Sequence, residues 1–118
     1  MTFKDFEQLV LQKHPTAKVF KHGEYSGSKI NVGINFDTTH PLGGKVYQYE
    51  GTYCYVLNKL GIKAIYSHDV WNIEQALARC KELHGTVGFF GDIEDYTEEI
   101  QTYEKQLQDI YSNYVIVR

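Results

Sequence analysis

Two cysteines and five histidines bound the chemistry open to this chain. Cys80 and His84 are four apart, so on one helix they share a face at a spacing that suits a metal ion. Cys54 and His68 would complete the two-cysteine, two-histidine set that a tetrahedral zinc requires. The Cys54–His68 spacing fits no finger or ribbon pattern, and Cys80 falls on an apolar stripe where a small thiol packs as core. The expectation is no metal and no cofactor. Cys54 offers a different chemistry. It falls just inside a predicted helix start after Gly51-Thr52, where the helix dipole favours the thiolate, and His68 follows as a candidate base.

The segment GTYC resembles the nucleophile position of papain-type cysteine hydrolases, which place the thiol at such a helix start. That resemblance implies a small cysteine hydrolase or transferase with Cys54 as nucleophile. His68 follows closely, however, leaving little room for an intervening helix and sheet, and only Asp69 is at hand to orient it. A structural thiol beside Tyr53 and Tyr55 is the preferred reading, so no residue is assigned as catalytic. His40, before Pro41 in a loop with Asp37, Thr38 and Thr39, reads as part of a solvated turn. His14 and His22 flank element ends and read as surface. Glu98 and Glu99 are adjacent on an exposed helix face, whereas a general acid needs a shielded site. The segment GEYSGSK lacks the spacing of a phosphate-binding loop.

Two binding chemistries of opposite sign remain. Lys13, Lys18, Lys21, Lys29 and Lys45 are interleaved with Phe20, Tyr25, Tyr47 and Tyr49 in a strand region. A basic, aromatic sheet of that kind stacks bases and neutralises phosphates, which makes a nucleic-acid-binding module the first alternative. Arginine is scarce and the isoelectric point is about 5.9, so its electrostatic footprint is thin. The opposite reading starts from seven acids between Asp92 and Asp109. Asp92, Glu94, Asp95, Glu98 and Glu99 lie on a loop and helix start, where carboxylates can occupy a groove that otherwise holds phosphates. Tyr47, Tyr49 and Tyr53 are the candidate anchoring contacts, because tyrosine gives large contact area at low entropy cost. The competing reading of the acids is a solvated helix face that keeps the chain soluble.

These residues must be positioned by secondary structure, and the pattern predicts an α+β fold. Residues 2–13 read as a helix capped by Thr2 and Asp5, with Phe3, Phe6, Leu9 and Val10 on one face. Strands follow at 18–22, at 29–36, where Ile30, Val32, Ile34 and Phe36 alternate, and at 45–51. They are joined by the turn GEYSGS and the loop DTTHPLGG, giving an antiparallel meander. A helix over 53–60 closes at Gly61, and 62–66 reads as a short strand. Asn72 and Gln75 have capping-box spacing, predicting a helix from there to about Gly85 that buries Ile73, Ala76, Leu77 and Cys80. A loop over 85–91 carries Phe89 and Phe90. The last helix starts at the pair Asp95 and Glu98 and carries a seam of Tyr96, Ile100, Tyr103, Leu107 and Ile110, packing on the domain or on another chain. Residues 114–117 form a final strand. The expected fold is a mostly antiparallel sheet of three to five strands covered by an N-terminal helix and two or three C-terminal helices.

At 118 residues the chain is expected to form a single α+β domain. Its 42% apolar and 23% charged residues are ordinary for a soluble protein. The net charge of −3 is unevenly spread: residues 1–91 hold ten basic and eight acidic groups, residues 92–118 two and seven. The sequence shows neither a membrane span nor a signal peptide, so a cytoplasmic protein with reduced thiols is expected. In size, acidity, tyrosine content and lack of a catalytic signature, the chain is similar to small anti-defence proteins of phages and mobile elements, such as anti-CRISPR proteins. The resemblance assigns no residue. It implies a non-enzymatic inhibitor whose acidic helix occludes a basic protein partner, such as a nucleoprotein.

Overall fold

Thr2 and Asp5 open the first helix by satisfying each other's backbone. The Asp5 N–H donates to Thr2 Oγ1 and the Thr2 N–H to Asp5 Oδ2, both at 3.2 Å. In the computed structural model, which describes residues 1–24, 29–36 and 45–118, this box starts helix α1 (Phe3–Lys13). Strands β1 (Lys18–Glu24), β2 (Lys29–Asn35) and β3 (Val46–Thr52) follow, then helix α2 (Tyr53–Lys59). Strand β4 (Ala64–Tyr66) leads into helix α3 (Ser67–Leu83), and helix α4 (Thr97–Asn113) into strand β5 (Val115–Val117). The fold is α+β, with an antiparallel sheet in the order β1-β2-β3 and a two-stranded parallel sheet of β4 and β5. Gly23 and Glu24, expected in the turn GEYSGS, extend β1. Residues 25–28 of that turn and the loop over 37–44, with Tyr25 and His40, lie outside the described residues.

The chain gathers into two compact units, one of residues 1–64 with 117 and one of residues 65–116 with 118. In the first, Ile30, Val32 and Ile34 point to one side of the sheet and are buried with Phe6 and Val10 of α1 and Val56 and Leu57 of α2. The strand period of two makes this possible. Gly51 marks the exit from β3: its φ of +147° disfavours any side chain, and an added Cβ would lie 3.0 Å from the Tyr55 ring. Thr52 then caps α2, its Oγ1 accepting from the Tyr55 N–H at 3.2 Å.

In the second unit, Val70, Leu107 and Ile110 form the core, with Ile65, Ile73, Leu77 and Tyr114 packed around them. Helix α3 begins at Ser67 rather than at Asn72, and its N-cap, Tyr66, makes no side-chain capping bond. The reason is packing. Val70 is a core anchor, and with Ile73 and Leu77 it forms one stripe only if the helix already runs through it. Ile73, Ala76, Leu77 and Cys80 are accordingly half-buried, not the buried face expected. The seam on α4 behaves as its spacing predicts, graded from half-buried Tyr96, Ile100 and Tyr103 to buried Leu107 and Ile110. Among the described residues no helix is long and apolar enough to cross a membrane.

Candidate functional site

The segment joining α3 to α4 is built from its two caps inward. His84 caps α3, and Gly85 leaves the helix at φ +81°, in the left-handed region that glycine favours. Residues 85–94 then form a short hairpin. The Gly85 N–H donates to Glu94 O and the Glu94 N–H to Thr86 O, both at 2.9 Å, and Val87 bridges antiparallel to Ile93. The Gly88 N–H donates to Asp92 O at 2.6 Å, and the Gly91 N–H to Gly88 O at 3.0 Å. With Gly91 at φ +85°, this is the pattern of a three-residue hairpin loop closed by a left-handed glycine. Across its base, the Tyr96 N–H donates to His84 Nδ1 at 3.0 Å.

That frame presents Phe89 and Phe90 at the centre of the turn, 95% and 88% exposed. Their rings pack edge-to-face with centroids 5.1 Å apart. Val87 and Ile93, opposite each other in the bridge, are also exposed. The loop over 85–91 was legible in the sequence; the solvent-facing aromatic pair within it was not. The signal available was composition, since two phenylalanines occupy turn positions that glycine, proline, asparagine or serine would ordinarily fill.

The five candidate acids run from the second arm of this hairpin into the first turn of α4. Asp92, Asp95, Glu98 and Glu99 are exposed and Glu94 is half-buried. Glu94 Oε1 lies 2.6 Å from where a Cβ on Gly88 would be, so the Glu94 carboxylate packs against the turn at Gly88. Asp95 stands one residue outside the α4 cap rather than on it. Its Oδ1 accepts from the Thr97 hydroxyl at 2.6 Å and the Thr97 N–H at 3.0 Å, and the N-cap, Tyr96, makes no side-chain bond. The Thr97 hydroxyl, then its N–H, hold the Asp95 carboxyl below its ordinary value. Glu98 and Glu99 occupy the first turn of α4, where the helix dipole favours carboxylates. With Thr102 and Tyr103 they line an open depression of about 260 Å³. No lysine or arginine occurs from residue 82 to residue 104, and Lys81, just before that stretch, pairs with Glu104 at its far end, at 3.2 Å.

The tyrosines proposed as contacts belong to the first unit. Tyr47 is exposed, Tyr49 half-buried and Tyr53 buried. Tyr53 packs on Phe6 with ring centroids 5.8 Å apart, and burial raises the pKa of its hydroxyl. It is a core residue in this unit.

Among the described residues, the basic and aromatic side chains of the sheet are split between its two faces. Register puts Lys21, Tyr47 and Tyr49 on the same face as Val32 and Ile34, the side of α1, where the Lys21 ammonium lies 5.7 Å from the Phe3 ring centre. Lys18, Phe20 and Lys29 point to the opposite face, with Gly33. Each face thus holds part of the set, Tyr47 and Tyr49 with Lys21 on one and Phe20 with Lys18 and Lys29 on the other. The Lys45 ammonium lies 5.3 Å from the Tyr47 ring centre. Lys13 is engaged elsewhere, donating to Gly61 O at 2.9 Å.

Cys54 is 7% exposed in the second position of the seven-residue α2, among core side chains. His68 belongs to the other unit, stacked on Trp71 at 5.8 Å. Burial withholds the thiol from a substrate, as nucleophilic attack requires access. Cys80 is half-buried, and among the described residues no three His, Cys, Asp or Glu side chains gather as a metal site. Comparison with family models, curated proteins and solved structures gives no match.

Proposed function

We propose that this is a non-enzymatic binding protein whose acidic hairpin and helix start occlude a basic, nucleic-acid-handling protein in the cytosol, in the manner of the anti-defence inhibitors it resembles. The observation that carries the reading is the set of exposed carboxylates at Asp92, Asp95, Glu98 and Glu99, in a stretch that holds no cation. Charges so placed attract a partner of opposite sign from a distance and steer its approach. A groove that ordinarily holds phosphates presents the lysines and arginines these carboxylates require, and a protein seated there excludes nucleic acid by volume and charge. Binding of this kind weakens as salt is raised, because exposed charges are screened over about 8–10 Å at physiological ionic strength.

The test is affinity capture from a bacterial lysate at low and high salt, with the wild type beside an Asp95→Lys/Glu98→Lys/Glu99→Lys variant. Recovery of one nucleoprotein complex, lost both at high salt and on charge reversal, is the expected result. Recovery of the same proteins by both forms would remove the basis for the reading.

A further inference from the structure

The fold makes no use of the Phe89 and Phe90 rings. Both are almost fully exposed, neither belongs to the core of its unit, and the turn they occupy asks for small or polar residues. Burying a phenylalanine is worth several times the thermal energy, so two rings held in water at one tip are a strong apolar contact waiting for a surface. We propose that this tip is the anchor by which the protein docks, inserting Phe89 and Phe90 into an apolar cleft on a protein partner whose rim carries lysine and arginine. The proposal rests on the reading of a basic partner and names the residues that grip it.

Three features support insertion. The rings already pack against each other, and the hairpin beneath them is closed by backbone hydrogen bonds and by the His84–Tyr96 bond. Little conformational freedom remains to be lost on binding, which is the main cost of docking a loop. Exposed aromatic side chains at the centre of a contact, ringed by polar groups, are also the usual residues that dominate binding energy. Here exposed Asp92 lies two residues past Phe90 beside the tip, with half-buried Glu94 and exposed Asp95 further along the same arm.

Charge selects the occupant. A second copy meeting tip to tip would press these carboxylates against their own counterparts, and an anionic bilayer would repel them. A protein cleft with a basic rim pairs both the rings and the acids.

The experiment selects binders to the intact protein from a library of random disulfide-constrained peptides, then measures their affinity for variants. Peptides rich in apolar residues with an excess of lysine and arginine are expected. Phe89→Ser/Phe90→Ser should weaken them roughly thirtyfold or more, and Phe90→Ser alone should have an intermediate effect. Circular dichroism and melting of both variants should match the wild type. Failure to enrich any peptide, or equal binding to the phenylalanine variants, overturns the anchor. So does co-sedimentation of wild type with phosphatidylcholine or phosphatidylserine vesicles that the serine variants lose, or self-association abolished by the same changes. Loss of binding on charge reversal at Asp95, Glu98 and Glu99 with no loss on the phenylalanine changes leaves the basic-partner reading and removes the anchor. Selected peptides with no basic excess, indifferent to charge reversal, remove the basic-partner reading itself.

Discussion

His84 Nδ1 accepts a hydrogen bond from the Tyr96 backbone N–H at 3.0 Å, joining the C-cap of α3 to the N-cap of α4. One side chain thereby satisfies a helix-start donor that has no side-chain cap of its own and ties off the base of the aromatic hairpin. Asp95 Oδ1 lies 3.8 Å from the same nitrogen.

The first prediction concerns that tie. His84→Ala leaves the Tyr96 N–H to water, and because the site is exposed the loss of stability should be small, about 0.5–1 kcal/mol. The local effect should be larger than the global one. Amide exchange at Tyr96 and Glu94 is expected to accelerate, while exchange in the α4 core near Leu107 stays slow. Unchanged exchange at Tyr96 would show that the ring is not its partner in solution.

A second prediction comes from the capping box of α1. Thr2→Ala removes the acceptor of the Asp5 N–H and should cost about 1 kcal/mol. The Thr2 N–H donating to the Asp5 carboxylate, with the Thr2 hydroxyl beside it, holds that carboxyl below its ordinary 3.8. A depressed folded pKa contributes stability above the unfolded value and loses it as pH falls through the folded one. The melting-temperature gap between wild type and Asp5→Asn should therefore be present at neutral pH and close as pH drops below 3.8. A gap independent of pH would contradict the linkage.

What could be read from the sequence depended on whether a residue's role was local. The Thr2–Asp5 box and the Ile30, Val32, Ile34 alternation follow from neighbours along the chain, and both stand in the structure. The carboxylates between Asp92 and Glu99 were equally legible, since charge needs no fold to exist. Asn72 and Gln75 match a capping pattern, yet the helix runs through them because Val70 must reach the core with Leu107 and Ile110. That requirement lies in tertiary contact, which overrides a local signal. Tyr53 is the same case: a tyrosine at a helix start reads as surface or core, and only the Phe6 ring opposite decides. Phe89 and Phe90 were visible as a loop, whereas their exposure depends on the hairpin that Gly85 and Gly91 allow.

A third prediction tests the gradient along the α4 seam. Leu107 is 7% exposed in a core of three buried side chains, so Leu107→Ala should cost about 2–4 kcal/mol in denaturant unfolding. Tyr103 lies half-buried on the same stripe, and Tyr103→Ala should cost less than half as much. Equal losses would mean that the outer end of the seam is covered to the same degree as the inner end.

The last prediction is at alkaline pH. The Tyr111 hydroxyl on α4 donates to the Glu74 carboxylate on α3, and that bond raises the Tyr111 pKa above its ordinary 10.0. A raised folded pKa contributes stability below the unfolded value and loses it as pH climbs through the folded one. Tyr111 is largely exposed, so solvent screening limits the contribution to less than about 1 kcal/mol. Tyr111→Phe should melt slightly below wild type at pH 8, and the difference should vanish as pH rises above 10. Absorbance titration should show two tyrosines, Tyr53 and Tyr111, ionising later than the rest, and Glu74→Gln should bring one of them back. If Glu74→Gln leaves the titration unchanged, Tyr111 is not among the late tyrosines, and the link between α3 and α4 at this position does not persist in solution.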